Sequence, residues 1–191
     1  MSFRCEMCLS GEGGQGLVLA GKILAEAAAI YQGINATQSQ SYGPEARGGA
    51  SRSEVILSDE DIDFPKAVRL DLLLALTQEA CDRYVGDLKP TGVLLVDSDA
   101  VTRVPEGPYR TYRAPVIRSA RETIGREIVA NIVALGIITR IAEVIEEESV
   151  REAILTRVPR GTEEVNLRAF ELGLSMADQL VAKEAGQAGT N

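Results

Sequence analysis

The segment Ser10–Ala28, SGEGGQGLVLAGKILAEAA, is the strongest indication of the fold, because it joins a predicted strand to a predicted helix through a glycine-rich turn. Phe3–Leu9, just before it, predicts the strand, and Leu17–Tyr31 carries a broad apolar face at helical spacing. Gly33 ends the helical pattern. Strand–turn–helix units of this kind build open α/β sheets.

Working outward, the chain continues to alternate between strand and helix patterns. Leu70–Leu76 and Gly92–Ser98 are short and almost wholly apolar, as parallel strands covered on both faces are. A helix is predicted between them, closed by Lys89 and Pro90. Other predicted strands are 34–42, 51–58 and one within 109–116, and the predicted C-terminal helices are 125–145, 149–156 and 163–183.

These patterns predict an α/β fold with a mostly parallel, Rossmann-like sheet flanked by helices and a helical C-terminal third. A chain of 191 residues is long enough for one domain with a substantial core. We expect a single domain over residues 1–183 and a disordered tail over 184–191.

Composition restricts the classes of partner. The net charge of −8 disfavours binding to nucleic acid or to an anionic membrane, because both need a basic surface. The most apolar stretch, 128–145, contains Asn131, Arg140 and Glu143, so it predicts a buried helix rather than a membrane span. Three cysteines and no recognisable signal peptide predict a cytoplasmic protein.

Gly11, Gly13 and Gly16 spell the G-x-G-x-x-G pattern of dinucleotide-binding sites, placed between a strand and a helix as that pattern requires. Such sites also need an acidic residue at the end of the second strand, where it holds the ribose hydroxyls. No acidic residue occurs between Glu26 and Glu45. An NAD site is therefore disfavoured.

The same glycines match the spacing of the NTPase phosphate loop, but Leu17 and Val18 stand where lysine and serine or threonine are required. Two interpretations remain open from the residues themselves. The turn is either a generic phosphate cradle, with Gln15 as a side-chain donor, or a purely structural connection.

Cys5 and Cys8 form a single C-x-x-C pair, and only Cys81 could add a third sulfur. Metal centres need about four ligands, and the chain contains no histidine, so we predict no metal site. Without histidine, and without a nucleophile beside an activating base, we also predict no catalytic residues in this chain.

Five stretches together carry a family resemblance over nearly the whole chain: residues 11–28, 37–59, 71–98, 131–136 and 160–173. They resemble the gamma subunit of 2-oxoacid:ferredoxin oxidoreductases. The motif QSYGPEARGG (40–49) is most similar to the 2-oxoglutarate type, and pyruvate and ketoisovalerate relatives share much of it. The cysteines of CEMCLSGEGG (5–14) depart from the aliphatic strand that is more usual there.

The resemblance implies an oxidoreductase complex that decarboxylates a 2-oxoacid on thiamine diphosphate, passes electrons through iron–sulfur clusters to ferredoxin and forms an acyl-coenzyme A. It implies that thiamine diphosphate and the clusters belong to alpha, beta and delta-type partner subunits, and that ferredoxin is met only indirectly. The isolated gamma subunit is then expected to be inactive and to form a homo-oligomer.

The resemblance also implies contact with coenzyme A, which carries phosphates. We therefore expect two glycine-bearing loops to face each other at the ligand edge of the sheet. The candidate residues are Gly11, Gly13, Gly14, Gln15 and Gly16 in the first loop and Ser41, Tyr42, Arg47, Gly48 and Gly49 in the second. Lys22 and Arg52 are nearby candidate counter-charges. The alternatives are a scaffold subunit without a ligand site and a nucleotide-dependent oxidoreductase that acts by itself.

Overall fold

The computed structural model describes residues 3–42 and 50–188, and within them the strands form one six-stranded sheet. The strands are β1 (Arg4–Glu12), β2 (Asn35–Tyr42), β3 (Ala50–Ser58), β4 (Leu70–Ala75), β5 (Leu88–Asp97) and β6 (Arg110–Ala114). The helices are α1 (Leu17–Glu26), α2 (Gln78–Tyr84), α3 (Val116–Ser119), α4 (Ala130–Ala142), α5 (Glu147–Arg157) and α6 (Glu163–Ala188). Helices α1 and α3 continue into the π-helical turns Ala27–Tyr31 and Ala120–Ile124.

The order across the sheet is β2-β3-β1-β4-β5-β6. Strands β1, β4, β5 and β6 run parallel to their neighbours in this series, whereas β3 is antiparallel to both β1 and β2. The predicted α/β class is confirmed. The second strand along the chain is not a parallel neighbour of the first, because no helix separates it from β3 and strands joined without a crossover pair antiparallel.

The core has one layer on each face of the sheet, as the alternation of side chains along each strand requires. Met7, Leu72 and Leu74 belong to the layer that contains α1, α4 and α6, and Leu73 and Leu94 belong to the layer under α2. Strand β4 is thus buried on both faces, which explains its continuous apolar run.

The C-terminal helices pack mainly through a close crossing of α4 and α6. A Cβ on Gly136 would lie 2.8 Å from the backbone N of Leu174 and nearer still to the carbonyl O of Phe170. Gly173 is equally restricted by the backbone of Val133 and by the Cα of Gly136. Glycine on both helices therefore lets their backbones touch, and α4 is buried over most of its length.

Several boundaries differ from those that the patterns predict. Strand β1 runs past Leu9 to Glu12, and α6 runs past Lys183 to Ala188. Pro90 lies inside β5 rather than closing the preceding helix, next to a register shift in the β4–β5 pairing between Leu70 and Leu72 that tolerates it. Among the described residues, no helix is long and apolar enough to cross a membrane.

Candidate functional site

The glycine turn spans residues 13–16 and lies where β1 ends and α1 begins. Gly14 and Gly16 have φ angles of 97° and 75°, in the left-handed region that only glycine enters without strain. The backbone N–H of Gln15 donates to the carbonyl of Glu12 at 3.2 Å, and the N–H of Glu12 donates to Oε1 of Gln15 at 2.8 Å. The turn is therefore a defined structure closed by its own hydrogen bonds.

Gly16 is the N-cap residue of α1, and no side chain caps this helix. The first backbone N–H groups of an α-helix have no partner within the helix and carry its positive partial charge. Gly13 and Gly14 are exposed, so a ligand can reach the backbone of the turn. An uncapped helix start behind two exposed glycines is a binding geometry for an anion.

Gly11 has a different place from the one expected, because it is a buried residue of β1 and not of the turn. A Cβ there would overlap Oε1 of Gln15 and approach Leu17 and Leu76 to 3.1 Å. Its absence makes room for the Gln15 side chain. Gln15 in turn uses its carbonyl oxygen to hold the N–H of Glu12, so only its amide NH₂ can donate to a ligand.

Asn131 of α4 fixes the turn from the side. It is buried, and its Nδ2 donates to the carbonyl O of Gly16 at 3.0 Å. A Cβ on Gly16 would lie only 2.6 Å from that nitrogen, so Gly16 is required by the contact as well as by its φ angle. The sequence signal for Asn131 was a lone amide in a long apolar stretch, where a polar residue needs a partner.

The second candidate loop shares this edge of the sheet. Ser51 and Ala50 pair with Gly11 and Glu12, and Tyr42 pairs with Ser51. The chain therefore leaves β2 and enters β3 beside the carboxyl end of β1. Ser41 is exposed on β2. Arg47, Gly48 and Gly49, and the side chain of Tyr42, lie outside the described residues, so the facing of the two loops stays a prediction.

The two other candidate counter-charges are placed differently. The guanidinium carbon of Arg52 lies 4.5 Å from the ring centroid of Tyr84, and Arg52 also forms an ion pair with Glu54. Its charge is therefore balanced inside the protein. Lys22 is an exposed residue of α1, without an ion pair among the described side chains. Neither residue supplies a cation dedicated to the turn.

Asp97, the last residue of β5, lies at the same edge of the sheet, but its carboxylate has a structural role. It is fully buried, and its Oδ1 accepts from the N–H groups of Asp99 and Ala100 at 3.0 and 2.9 Å. Its Oδ2 accepts from the N–H of Ile117 at 2.9 Å. This carboxylate holds the β5 turn and the start of α3, and because it is fully buried it is not accessible to a ribose or a metal ion.

A cavity of about 200 Å³ opens beside the glycine turn. It lies between the starts of α1, α4 and α6, and its lining includes Gly16, Leu19, Arg126, Ile128, Asn131 and Asn166. Arg126 and Ile128 are exposed. Nδ2 of Asn166 donates to the carbonyl of Thr162 at 2.8 Å. Residue patterns did not single out Arg126 or Asn166, because their proximity to the turn depends on how three helices pack.

Other cavities lie away from the turn. One of about 520 Å³ is at the carboxyl end of α4 and is lined by Arg140, Glu143 and Glu147 with their neighbours. One of about 300 Å³ is near the start of β1, beside Arg4 and Arg110. The larger volume of the first does not make it an anion site: the start of α5 contributes to it, but its lining contains no glycine and includes the carboxylates of Glu143, Glu146 and Glu147.

The cysteines are packing residues. Cys5 and Cys8 are buried in opposite layers of the core, because residues three apart in a strand point to opposite faces. Burial raises the pKa of each of these two thiols to about 12, so both stay protonated. Burial also raises the pKa of Cys81. The described residues contain no group of three or more metal-ligating side chains.

Comparison with known proteins gives consistent matches. The sequence model of the pyruvate ferredoxin/flavodoxin oxidoreductase family matches residues 6–176. The chain is 52% identical over 182 residues to 2-oxoglutarate synthase subunit KorC of Methanocaldococcus jannaschii, covering 94% of this chain and 97% of that protein. It is 55% identical to the crystallised gamma subunit of a keto/oxoacid ferredoxin oxidoreductase from Geobacter sulfurreducens, with a TM-score of 0.82, covering 91% of this chain and 98% of that one.

The same fold occurs in a larger protein. A chain of 2-oxoglutarate:ferredoxin oxidoreductase from Magnetococcus marinus, solved with 2-oxoglutarate, coenzyme A and succinyl-CoA bound, matches with a TM-score of 0.81. The match covers 93% of this chain but 31% of that chain, at 23% identity. At this identity the likeness shows the fold.

Proposed function

This chain belongs to the pyruvate ferredoxin/flavodoxin oxidoreductase family, and from that membership we propose that it is the gamma subunit of a 2-oxoglutarate:ferredoxin oxidoreductase whose glycine turn binds phosphate groups of coenzyme A. The high identity to KorC and to the Geobacter gamma subunit, over nearly the full length of each, supports the subunit assignment. In this proposal the chain works inside a complex, and its partners carry thiamine diphosphate and the iron–sulfur clusters.

The observation that carries the ligand proposal is the uncapped start of α1 behind the exposed Gly13 and Gly14. Coenzyme A carries a diphosphate and a ribose phosphate, and backbone N–H groups at a helix start bind such anions. Because the chain as a whole has a charge of −8, a local array of amides is needed to hold an anion on it. Arg47 adds a charge-assisted contact from the neighbouring loop.

The structure disfavours a nucleotide-dependent oxidoreductase acting by itself. A dinucleotide fold places its second strand parallel to the first and uses an acid at its end to hold the ribose. Here β2 runs in the same direction as β1, but the antiparallel strand β3 lies between them and β2 carries no acid. The remaining alternative is a scaffold subunit whose turn binds no ligand.

The test compares Gly14→Val with Gly33→Val in the assembled complex. Both glycines have positive φ angles, 97° and 67°, and a Cβ on either meets no atom within 4 Å. Both changes therefore place a β-branched residue at a positive φ angle without a steric overlap, but only Gly14 lies in the turn. We expect Gly14→Val to raise the apparent KM for coenzyme A by about ten-fold or more, equivalent to about 1.4 kcal/mol, and Gly33→Val to leave it near the wild-type value.

Arg47→Ala is expected to raise the same KM by about ten-fold, since a hydrogen bond to a charged group is worth about 1.5–3 kcal/mol. In both turn and loop variants, 2-oxoglutarate-dependent dye reduction without coenzyme A should stay near normal. Unchanged coenzyme A dependence in well-assembled Gly14→Val and Arg47→Ala complexes would favour the scaffold alternative. If the wild-type complex does not oxidise 2-oxoglutarate, the proposed substrate is wrong.

A further inference from the structure

Strand β2 forms one edge of the sheet and has β3 as its strand neighbour. Its eight residues pair with β3 in continuous register. On the side away from β3, the described residues provide no strand to pair with its backbone N–H and C=O groups. The Ser39 carbonyl accepts from Nε2 of Gln38 at 3.1 Å. Among the described residues, no other strand covers the rest of this outer side.

The two edges of the sheet differ in how they are protected. Edge strands of monomeric proteins are usually short or carry charged residues and prolines, which prevent pairing with a strand of another molecule. Strand β6, at the other edge, has five residues with Arg110 and Arg113, and Pro115 follows it. Tyr112 of β6 also bonds to Glu184 near the end of α6. Strand β2 has none of these protections, since its sequence NATQSQSY contains no charge and no proline.

The β2 edge differs from the rest of the chain in charge. Residues 27–44 carry no ionisable acid or base apart from Tyr31 and Tyr42, although the whole chain has a charge of −8. Two copies that met through the acidic parts of their surfaces would repel each other, whereas two β2 edges bring no like charges together. The neighbouring carboxylate of Glu54 on β3 is neutralised by Arg52. A partner that recognises its target through charge would find nothing on β2 to bind.

Apolar surface lies beside the same edge. The π-helical turn Ala27–Tyr31 packs on β2, and Ile30 in it is 71% exposed. Tyr31 and Leu155 are also exposed, and Tyr31 bonds through its hydroxyl to Thr156 at 3.0 Å. Antiparallel pairing of two β2 strands brings α1 of each copy to the same face of the joined sheet. A second copy would therefore cover part of this apolar surface.

We infer that β2 pairs antiparallel with β2 of a second copy about a two-fold axis, so that one sheet continues through both chains. Eight residues at about 3.3 Å each span about 26 Å, and two such strands exchange about eight hydrogen bonds. The inferred interface runs along β2, and β3 separates it from β1, whose carboxyl end holds the glycine turn. Ser41 and Tyr42, at the end of β2, are the two candidate ligand residues that also lie on this interface. The interface does not depend on the function proposed above.

The test measures the mass of the purified full chain by light scattering over a range of concentrations. We expect a dimer of twice 20.5 kDa that dissociates on dilution. Thr37→Lys with Gln40→Lys in one chain should weaken dimerisation at least ten-fold, since edge lysines in both copies oppose pairing. The matched control, Thr111→Lys on β6, should leave the dimer unchanged. A strict monomer at high concentration, or a dimer that the β2 lysines leave unchanged, would refute the inference.

Two further measurements test the inference, and the second uses the wild-type chain, so it does not depend on the folding of the double variant. Mixing it with a Thr37→Glu and Gln40→Glu variant should restore a mixed dimer through opposite charges. Amide hydrogen exchange of the wild-type chain should show protection in residues 35–42 that rises with protein concentration, while residues 110–114 do not change. Concentration-independent exchange in β2, or protection only in the presence of other subunits, would show that a second copy does not occupy this edge.

Discussion

The contact between α4 and α6 predicts that Gly136→Ala lowers the stability of the fold. A Cβ at this position would lie 2.8 Å from the backbone N of Leu174 and 2.9 Å from the Cα of Gly173. These are backbone atoms, so no side-chain rotation relieves the overlap. Non-bonded carbon contacts are optimal at about 3.5–4.0 Å, so α6 must move away by on the order of 1 Å.

Two effects of opposite sign determine how much the free energy of unfolding changes in Gly136→Ala. Alanine is favoured over glycine inside a helix by about 1 kcal/mol. Overpacking of a core costs about 1–3 kcal/mol, and the upper value applies here because two buried helix backbones must separate. The net loss is then about 2 kcal/mol, or about 4–8 °C in Tm for a chain of this size.

Thermal and urea unfolding of the purified chain, followed by circular dichroism, measure this loss. Gly86→Ala is the control, because a Cβ on Gly86 meets no atom within 4 Å. That variant should change stability by less than about 1 kcal/mol. If Gly136→Ala were as stable as the wild type within about 0.5 kcal/mol, the helices could not be in backbone contact, and the reasoning would be wrong.

Other consequences concern buried polar groups. Burial raises the pKa of Glu6, but hydrogen bonds from Arg4 and from two backbone N–H groups outweigh burial, so the pKa is lowered overall. Ionised Glu6 therefore stabilises the fold at pH values above its unfolded pKa of about 4.3. This stabilisation is lost as the pH falls through the lowered pKa of the folded state. Glu6→Gln should therefore flatten the acid limb of the stability profile, and an unchanged limb would contradict this. Cys5 and Cys8, with pKa values of about 12, should not react with a thiol reagent at pH 8 until the protein unfolds; fast labelling of the native chain would disprove their burial. Asn131→Ala should cost about 1 kcal/mol and speed amide exchange in residues 13–16, whereas unaltered exchange would mean that Asn131 does not hold the turn.

Only part of the candidate site could be predicted from the sequence. The glycines at 13, 14 and 16 mark a turn because positive φ angles and an uncapped helix start are local requirements, and local requirements appear in neighbouring residues. The amide that holds the turn comes from Asn131, 115 positions away from Gly16. No local spacing encodes that contact, since it exists only once α4 packs beside α1.

Residue patterns were sufficient to predict the strand–turn–helix start, β4 and β5 with both faces buried, and the helical C-terminal third, because burial and helical period repeat along the chain. Tertiary structure decided the rest. It inserted β3 between β2 and β1, left β2 as an uncharged edge, and sent Cys5 and Cys8 into opposite core layers. The physical reason is that strand neighbours are chosen by hydrogen bonding and packing between distant segments, and the free energy of that choice belongs to the assembled sheet and to no single stretch of residues.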